Sequence, residues 1–490
     1  MTMIPRDHHR RVLIRRVLSA VLAAGVGCQI LGLAWLQASA ATRNQSAARS
    51  FTARPAGSFN IPFTQFKLDN GLRVVLSEDH SAPVVAVAVY YDVGSRNEVK
   101  GRTGFAHLFE HMMYQGSENV GKGEYFKYIE NNGGDLNATT HVDYTDYYEF
   151  LPSNRLPLAL WLESDRMRSL KITAENLDNQ RRAVEEEKRL NIDNQAYWPE
   201  LDKMEEMVFH NWAYAHSNFG SMQDLERATV DDVKTFFDTY YAPNNAVLVI
   251  CGDIDLAESQ ALVRKYFASI PSHTPPPPVD SSEDPGVALA KSVAVDAQAQ
   301  VPEIVVAWKI PPRRSPDSYA IALLKSILAD GESSRLYQSL VREKAIAVSI
   351  TAGLEEQRGP SEIYIQTVHK PEANPDEVES AIEGEIDRIK KDGVSQDDLS
   401  RVKNQYRLGR FAGNSDEERR NLQTALGRAL DLAEFTLFDG DPSLINTELD
   451  RYMAVTVEQV RDVARKYLTT GNRSVLYIRT AQDQSKTPSR

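Results

Sequence analysis

The chain has 490 residues, with 68 acidic and 56 basic side chains and a formal net charge of −12. This length exceeds what a single hydrophobic core usually supports, so we expect two or more domains. The acidic balance and the lack of any basic run argue against a nucleic-acid-binding protein, and no nucleic acid is expected among the partners.

The first forty residues have the composition of an export signal. Five arginines precede position 17, an apolar run extends from Val17 to Leu36, and a stretch of small residues ends at Ala40. This pattern predicts a signal peptide over residues 1 to 40 and a periplasmic or otherwise exported protein. The apolar run is also long enough to span a bilayer, so an uncleaved tether to the inner membrane is the alternative.

A polar linker is predicted over residues 41 to 58, and periodic sequence begins at residue 59. The strings GLRVVLSED and PVVAVAVYYDVG have the β-branched content and the alternation of strands. Helices are predicted over residues 103–114, 122–132, 155–169 and 174–190. Because strands and helices come in clusters and not in strict βαβ alternation, we predict an α+β fold in which helices cover one face of an antiparallel-rich sheet.

The proline-rich string SHTPPPPVDSSEDPG breaks this pattern, and we predict an interdomain linker over residues 272 to 287. A capped helix, a turn and a strand precede it in TVDDVKTFFDTYYAPNNAVLVI, and the similar string TVEQVRDVARKYLTTGNRSVLYI ends the chain. Three residues of the first helix align with three of the second: Val230, Val233 and Tyr240 with Val457, Val460 and Tyr467. In this alignment we place one extra residue in the second turn. We therefore predict two homologous α/β sandwich domains, over residues 59 to 271 and 288 to 484; chance similarity is the alternative.

The string GFAHLFEHMMY places two histidines and a glutamate on a predicted helix. At about 100° per residue, one face carries apolar residues and the opposite face carries His107, Glu110, His111 and Tyr114. Histidines four residues apart stand one turn above each other, so both can bind one metal ion, and the glutamate between them can reach a water molecule there. The order His-x-x-Glu-His is a known metallopeptidase signature, and a surface helix with two solvated histidines is the alternative.

A hydrolytic zinc site generally takes a third protein ligand. The string AENLDNQRRAVEEEKRL contains three consecutive glutamates, and only Glu187 falls on the helical stripe of Leu177 and Val184. Glu185 and Glu186 point away from that stripe, which favours a solvated position for both. We therefore predict Glu187 as the third ligand.

Three other histidines, His141, His210 and His216, have no partner at ligand spacing, and we predict that they are surface residues. The string LNATTHVDY has the alternation of a half-buried edge strand, and an ordinary sheet edge is the alternative to a functional one.

The chain resembles the pitrilysin, insulysin and mitochondrial processing peptidase family, the inverted zincins. The motifs that carry the resemblance span nearly all of residues 60 to 480: VGSRNE, GRTGFAHLFEHMMYQGS, NNGGDLNATTHVDYTDYYEFLP, LWLESDRM, NQRRAVEEEKR, YYAPNNAVLVICGDID and GESSRLYQSLVREK. The resemblance implies two similar α+β domains with zinc only in the first. The sequence is consistent with this, because His369 is the only histidine beyond the linker.

The resemblance also implies roles for individual residues. His107, His111 and Glu187 would hold one Zn²⁺ ion per chain, and Glu110 would act as the general base of an exported zinc metalloendopeptidase. Substrates would be extended or unfolded peptides, which bind as an added strand. The residues implied for substrate binding are Asn137, Ala138, Thr139 and Arg342.

The sequence departs from the family at one position. Active relatives carry an arginine followed about seven residues later by a tyrosine, and here Arg342 is kept whereas Val348 or Ser349 stands in the place of the tyrosine. We therefore predict a dimer with a homologous partner that supplies the Arg and Tyr pair. The alternative is a self-sufficient monomer or homodimer that uses Arg342 or Tyr337.

Two functions of other classes stay open. One is a non-catalytic family member that serves as a scaffold or partner subunit, although all four site residues are present here. The other is a metal lyase with an inverted His-Glu-His site, against which the length and the duplication argue.

Overall fold

The computed structural model describes residues 59–283, 290–412 and 420–484. The predicted export signal, the polar linker before residue 59 and residues 284 to 287 of the predicted interdomain linker lie outside the described residues. Within the described ranges, every helix is too short or too polar to cross a membrane.

Within the described residues, the first half of the chain forms a six-stranded sheet and nine α-helices. The strands are β1 (Thr64–Lys67), β2 (Arg73–Glu78), β3 (Val84–Tyr91), β4 (Asp135–Thr140), β5 (Thr145–Pro152) and β6 (Ala246–Gly252). The helices are α1 (Phe105–Met112), α2 (Glu124–Glu130), α3 (Leu156–Ser169), α4 (Ala174–Lys188), α5 (Trp198–Leu201), α6 (Met204–Val208), α7 (Met222–Arg227), α8 (Val230–Tyr240) and α9 (Leu256–Phe267). One π-helical turn, Arg189–Asp193, continues α4, and 3₁₀ turns lie at Ser95–Asn97, Ser153–Arg155 and Pro243–Asn245.

The second half forms a five-stranded sheet and seven α-helices within the described residues. The strands are β7 (Lys291–Asp296), β8 (Glu303–Ile310), β9 (Ala347–Glu355), β10 (Ser361–His369) and β11 (Arg473–Thr480). The helices are α10 (Ser318–Ala329), α11 (Pro375–Asp392), α12 (Gln396–Ala412), α13 (Ala425–Glu434), α14 (Leu444–Ala454), α15 (Val457–Tyr467) and α16 (Ala481–Gln484). π-Helical turns lie at Tyr337–Glu343 and Phe435–Asp439, and a 3₁₀ turn lies at Thr470–Asn472.

The two sheets share one topology. The strand order is β1-β2-β6-β3-β5-β4 in the first sheet and β7-β11-β8-β10-β9 in the second. Without β1, the two orders correspond strand for strand, each with a single parallel pair, β2 with β6 and β7 with β11, beside antiparallel pairs. The prediction of an α+β fold with two similar sandwich units is confirmed.

The predicted extra residue in the second turn is wrong. The side-chain amide of Asn245 donates to the carbonyl of Tyr240 at the end of α8, and Asn472 donates to Tyr467 at the end of α15 in the same way, both at 2.9 Å. The two turns therefore have equal length. The similar strings VLVI and VLYI suggested the shift, but a slip of one residue reverses the face that every strand side chain occupies.

Helices pack against both faces of each sheet, whereas the sequence predicted helices on one face only. Helices of the first half, among them α1, α3 and α4, pack on one face of the first sheet, and α13, from the second half, packs on the opposite face against β3 and β6. In return, α6 and the residues that follow it pack on the outer face of the second sheet, against β8 and β11. Each half thus buries apolar surface of the other.

Candidate metal centre

Helix α1 begins at an unusual cap. Gly104 precedes it with φ +83°, a left-handed conformation that glycine adopts without strain, and no side chain can cap the helix from that position. The carboxylate of Glu98 takes this role, because it accepts the N–H groups of Gly104 and Ala106 at 2.8 and 2.9 Å. Glu98 thereby satisfies two of the backbone donors that a helix leaves free at its start.

All eight residues of α1 are buried, so the predicted polar face does not point to open solvent. Leu108, Phe109 and Met112 lie in the core of the first half, as their spacing indicates. Tyr114, predicted on the chemical face, lies beyond the end of the helix, with its ring among those of Tyr125, Phe126 and Tyr147. That prediction was wrong, because the helical phase stops at Met112.

Helix α4 presents one of its three consecutive glutamates to α1. Its N-cap Thr173 accepts the N–H of Asn176, and Leu177 and Val184 are buried along the stripe that faces the core. Glu187 continues this stripe and is buried, whereas Glu185 and Glu186 are exposed. The burial of the three glutamates therefore follows the predicted helical phase.

The two helices bring His107, His111 and Glu187 together. Glu187 Oε1 lies 3.6 Å from His107 Nε2, and Glu187 Oε2 lies 3.1 Å from His111 Nε2. One nitrogen or oxygen atom from each of the three residues lies within 4.8 Å of the others, and this is the only such group of histidine, cysteine or carboxylate residues in the described ranges. The arrangement has the dimensions of a site for one metal ion.

The donor atoms fit a hydrolytic zinc ion. Both carboxylate oxygens of Glu187 are buried and accept no hydrogen bond from the described residues, which leaves their lone pairs to a cation. Two imidazoles and one carboxylate form the set found in many zinc hydrolases. Burial, the largest influence, raises the pKa of Glu187, but the two imidazoles together outweigh it and lower this pKa to about 2.

Glu110 lies on the same helix between the two histidines, and its side chain is 7% exposed. Its Oε2 accepts a hydrogen bond of 2.9 Å from the hydroxyl of Thr140, the last residue of β4. Burial raises the pKa of Glu110, and the two imidazoles and the Thr140 hydroxyl oppose that rise. The carboxyl group is thus enclosed, held at one oxygen and close to the metal ligands.

Strand β4 is the edge of the first sheet, as predicted for this segment. Ala138 is buried on the side of the helices, and Asn137 and Thr139 are half-buried. The hydroxyl of Thr139 donates to Asp146 on β5, so this side chain is turned to the face opposite that of Ala138.

The structure does not place Arg342 among the contacts of the His107, His111 and Glu187 group. Arg342 lies on the π-helical turn of the second half, where its guanidinium pairs with Glu332 at 3.1 Å and lies 5.6 Å from the ring centroid of Tyr337. Val348 and Ser349 both lie on β9, the edge strand of the second sheet. Val348 is 52% exposed.

The three histidines that were predicted to be surface residues have different environments. His141 and His210 are exposed, so the prediction for these two is confirmed. His216 is buried, and the prediction of a surface position was wrong. Its ring lies 3.0 Å from the carbonyl of Ser95 and 3.5 Å from the Glu98 carboxylate, on a segment remote in sequence.

Two residues near the site escaped the sequence analysis. Glu98 was quoted only as part of a family motif, although the lack of a capping side chain at Gly104 could have prompted a search for an external carboxylate. Thr140 lies directly after the predicted substrate residues. The alternation of β4 could have placed Thr140 on the face of Ala138, toward α1.

Comparison with known proteins gives two family matches. The family model described as "Insulinase (Peptidase family M16)" matches residues 73 to 222 and includes the candidate metal ligands. The model described as "Peptidase M16 inactive domain" matches residues 227 to 406, on both sides of the predicted linker.

Individual relatives agree with the family matches. The "Zinc protease PqqE" of Helicobacter pylori is 28% identical over 346 residues, which cover 69% of this chain and 76% of that protein. A "Probable mitochondrial-processing peptidase subunit beta" of Arabidopsis thaliana is 25% identical over 431 residues, 85% of this chain and 78% of that protein. A solved structure of a protease from Helicobacter pylori has the same fold, with a TM-score of 0.80 and 24% identity over 86% of this chain and all of that one.

Proposed function

Since the chain belongs to the M16 peptidase family, we propose that it is a zinc metalloendopeptidase that hydrolyses extended or unfolded peptides. The observation that carries the proposal is the buried group of His107, His111 and Glu187, with Glu110 on the same helix as the two histidines. A scaffold function would not require this set of donors. The names of the relatives, among them zinc proteases, support the same activity.

His107, His111 and Glu187 would hold the zinc ion through two nitrogens and a carboxylate. When bound, zinc acts as a Lewis acid that lowers the pKa of a water molecule and polarises the scissile carbonyl. Glu110 is not one of the three ligands, so its carboxylate is available to accept a proton from the attacking water and to pass it to the leaving amine. No side chain forms a covalent bond to the substrate in this reaction.

Asn137, Ala138 and Thr139 would bind the peptide through the backbone of β4. The position of β4 at the edge of the sheet supports this role, because an edge strand can pair with an added strand. Recognition of this kind reads the peptide backbone more than its side chains. Substrates therefore need an extended segment and little defined sequence.

The direct test is to measure zinc content and hydrolysis on the purified full-length protein. We expect one zinc ion per chain, cleavage of a mixed pool of unfolded peptides by the protein alone or mixed with a homologous partner subunit, and loss of cleavage when 1,10-phenanthroline removes the metal. A protein that contains no zinc, or that cleaves equally well after chelation, contradicts the proposal. Zinc content without cleavage, alone or with a partner, would indicate the scaffold function.

We further propose that the active form is a dimer with a homologous subunit that supplies an arginine and a tyrosine. Two observations support this: Val348 or Ser349 stands in the place of the tyrosine, and the contacts of Arg342 are with Glu332 and Tyr337 in its own half. Assays of the protein alone and mixed with the candidate subunit test the idea. Full activity alone, unchanged on mixing, would favour a self-sufficient monomer or homodimer that uses Arg342 or Tyr337.

Export is proposed from the first forty residues. Mass spectrometry of the protein from its native host should find an N-terminus near Ala41. An intact N-terminus in the membrane fraction would instead indicate a tether through residues 17 to 36.

A further inference from the structure

We propose that Thr140 is a positioning residue that fixes the general base Glu110 from the strand on which the peptide docks. The inference rests on the function proposed above and extends it to a residue outside the metal ligands. It comes from one hydrogen bond and from the place of Thr140 in the sheet.

The Thr140 hydroxyl has two acceptors within reach. Oε2 of Glu110 lies at 2.9 Å and the carbonyl oxygen of Ala106 at 3.5 Å. A hydroxyl has a single proton to donate, and a bond to an ionised carboxylate is shorter and stronger than a bond to a carbonyl. The proton therefore goes to Glu110, and the distances agree with this choice.

The sheet holds this hydroxyl in place. Side chains alternate along β4, so Thr140 shares with Ala138 the face that packs toward α1, whereas Thr139 is turned to the opposite face. Thr140 is paired with Thr145 on β5 at the end of the ladder. Its β-branched side chain has few rotamers, so the backbone position of the strand largely fixes the position of the hydroxyl.

The hydrogen bond from Thr140 gives the two carboxylate oxygens of Glu110 different roles. Oε2 is engaged by Thr140, so Oε1 is the oxygen that accepts the proton of the attacking water. The same strand carries the backbone groups that would bind the peptide at Asn137, Ala138 and Thr139. Strand β4 therefore sets the relative position of the peptide and the base, and the Thr140 side chain acts on the base alone.

The test compares Thr140→Val, which removes the hydroxyl at nearly constant volume, with Thr140→Ser, which keeps it. The substrate is a quenched fluorescent peptide, taken from the mixed pool, that the wild-type protein hydrolyses. We expect Thr140→Val to lower kcat about tenfold or more, with KM within about twofold of wild type and an unchanged zinc content. Thr140→Ser should restore kcat to near the wild-type value.

A matched control is available on the edge strand of the second sheet. Thr351 lies on β9, and its hydroxyl donates to Oε1 of Gln366 at 3.2 Å. Thr351→Val also removes a hydrogen-bonding threonine hydroxyl from an edge strand, but one whose acceptor is a neutral amide remote from Glu110. It should keep wild-type kcat and KM.

Crystal structures of the two Thr140 variants give a readout that does not depend on activity. The Glu110 carboxylate should turn away from its wild-type orientation in Thr140→Val and keep it in Thr140→Ser. Wild-type kcat in Thr140→Val, or an equal loss in both variants, overturns the inference alone. A wild-type protein that hydrolyses no peptide, either alone or mixed with the candidate subunit, overturns the proposed function and this inference with it.

Discussion

The helix that carries the candidate metal ligands has a counterpart in the second half. Helices α1 and α10 both follow the central antiparallel strand of their sheet, and both lead to a glycine with positive φ, Gly116 at +104° and Gly331 at +75°. When these glycines are aligned, four buried apolar positions in the helices or directly after them coincide: Leu108, Phe109, Met112 and Met113 with Leu323, Leu324, Ile327 and Leu328. The packing face is the same in both helices.

The other face of the two helices differs completely. In this alignment Ala322, Lys325 and Ser326 stand where α1 has its two histidines and its glutamate. Lys325 pairs with Asp330 at 3.0 Å, and the hydroxyl of Ser326 donates to the carbonyl of Ala322. No metal-binding group remains on this face of α10.

The third ligand shows the same contrast between α4 and α12. The two helices have equivalent caps, because Thr173 accepts the N–H of Asn176 and Ser395 accepts that of Asp398. With these caps aligned, Gly409 stands in the place of Glu187. Caps and apolar stripes are what the fold requires, whereas the ligands are additions that one half has and the other lacks.

The largest effect is expected from Glu187→Gln, which takes from the first half a group that the second half already lacks. An amide carries no charge and binds zinc weakly, so the variant should lose its zinc and with it all detectable hydrolysis. Metal analysis of the purified protein is the measurement. Glu185→Gln and Glu186→Gln are matched controls on the same helix and should keep both zinc and activity; if Glu186 proves indispensable, the helical phase argument is wrong.

Glu110→Gln should separate metal binding from chemistry. The amide has nearly the same shape and lies outside the three ligands, so zinc content should stay at the wild-type level. It cannot accept the proton of the attacking water, and turnover should fall on the order of a hundredfold or more. A variant with normal zinc and near wild-type kcat would show that Glu110 is not the base.

The comparison also indicates what the sequence could predict. Helical periodicity identified the buried stripe of α4, and thus separated Glu187 from its two neighbours, because all the residues involved lie on one helix. Local sequence patterns gave a wrong prediction where a residue is buried by contacts with residues far away in the chain. His216 is buried by Ser95 and Glu98, which lie more than a hundred positions earlier in the chain, and nothing local to His216 reports that packing.

The predicted alignment of the strands that follow the two turns was wrong for a related reason. The repeat of VLVI and VLYI was a true sign of duplication, but composition does not say which face of a sheet a residue occupies. The hydrogen bonds of Asn245 and Asn472 fix the register, and they involve side-chain geometry that a sequence does not contain. The cover of each sheet by helices of the other half escaped the analysis in the same way, since it joins residues from opposite ends of the chain.

Because residues of each half pack on the sheet of the other half, we expect the two halves to unfold together. Leu108→Ala in α1 and Leu323→Ala in α10 each delete a fully buried side chain and should cost about 2 to 5 kcal/mol. Because each half covers a sheet of the other, both variants should lower the temperature of one common transition in calorimetry. Two separate transitions, with each variant moving only its own, would show that the halves are independent domains.

The smallest effect concerns two buried carboxyl groups, one in each half. Imidazoles lower the pKa of Glu187, but Glu362 on β10 lies in a buried position with one oxygen that has no hydrogen-bond partner among the described residues. Burial, with a smaller contribution from Glu355, raises the pKa of Glu362 to about 8. These two buried glutamates thus have opposite charge states near neutral pH.

Because the folded pKa of Glu362 exceeds its ordinary value of 4.5, its contribution to stability is fully present below about pH 4.5 and is lost as the pH rises through 8. Glu362→Gln cannot ionise, so its stability should be close to that of wild type near pH 5 and higher than wild type at pH 9, by about 1 kcal/mol or more. Thermal unfolding of both proteins across this range measures the difference. Glu372→Gln, which makes the same substitution at an exposed position, is the control. If the stability of Glu362→Gln differs from that of wild type by the same amount at every pH, Glu362 is ionised in the folded protein. The two halves would then differ in their metal ligands and not in the charge of these two glutamates.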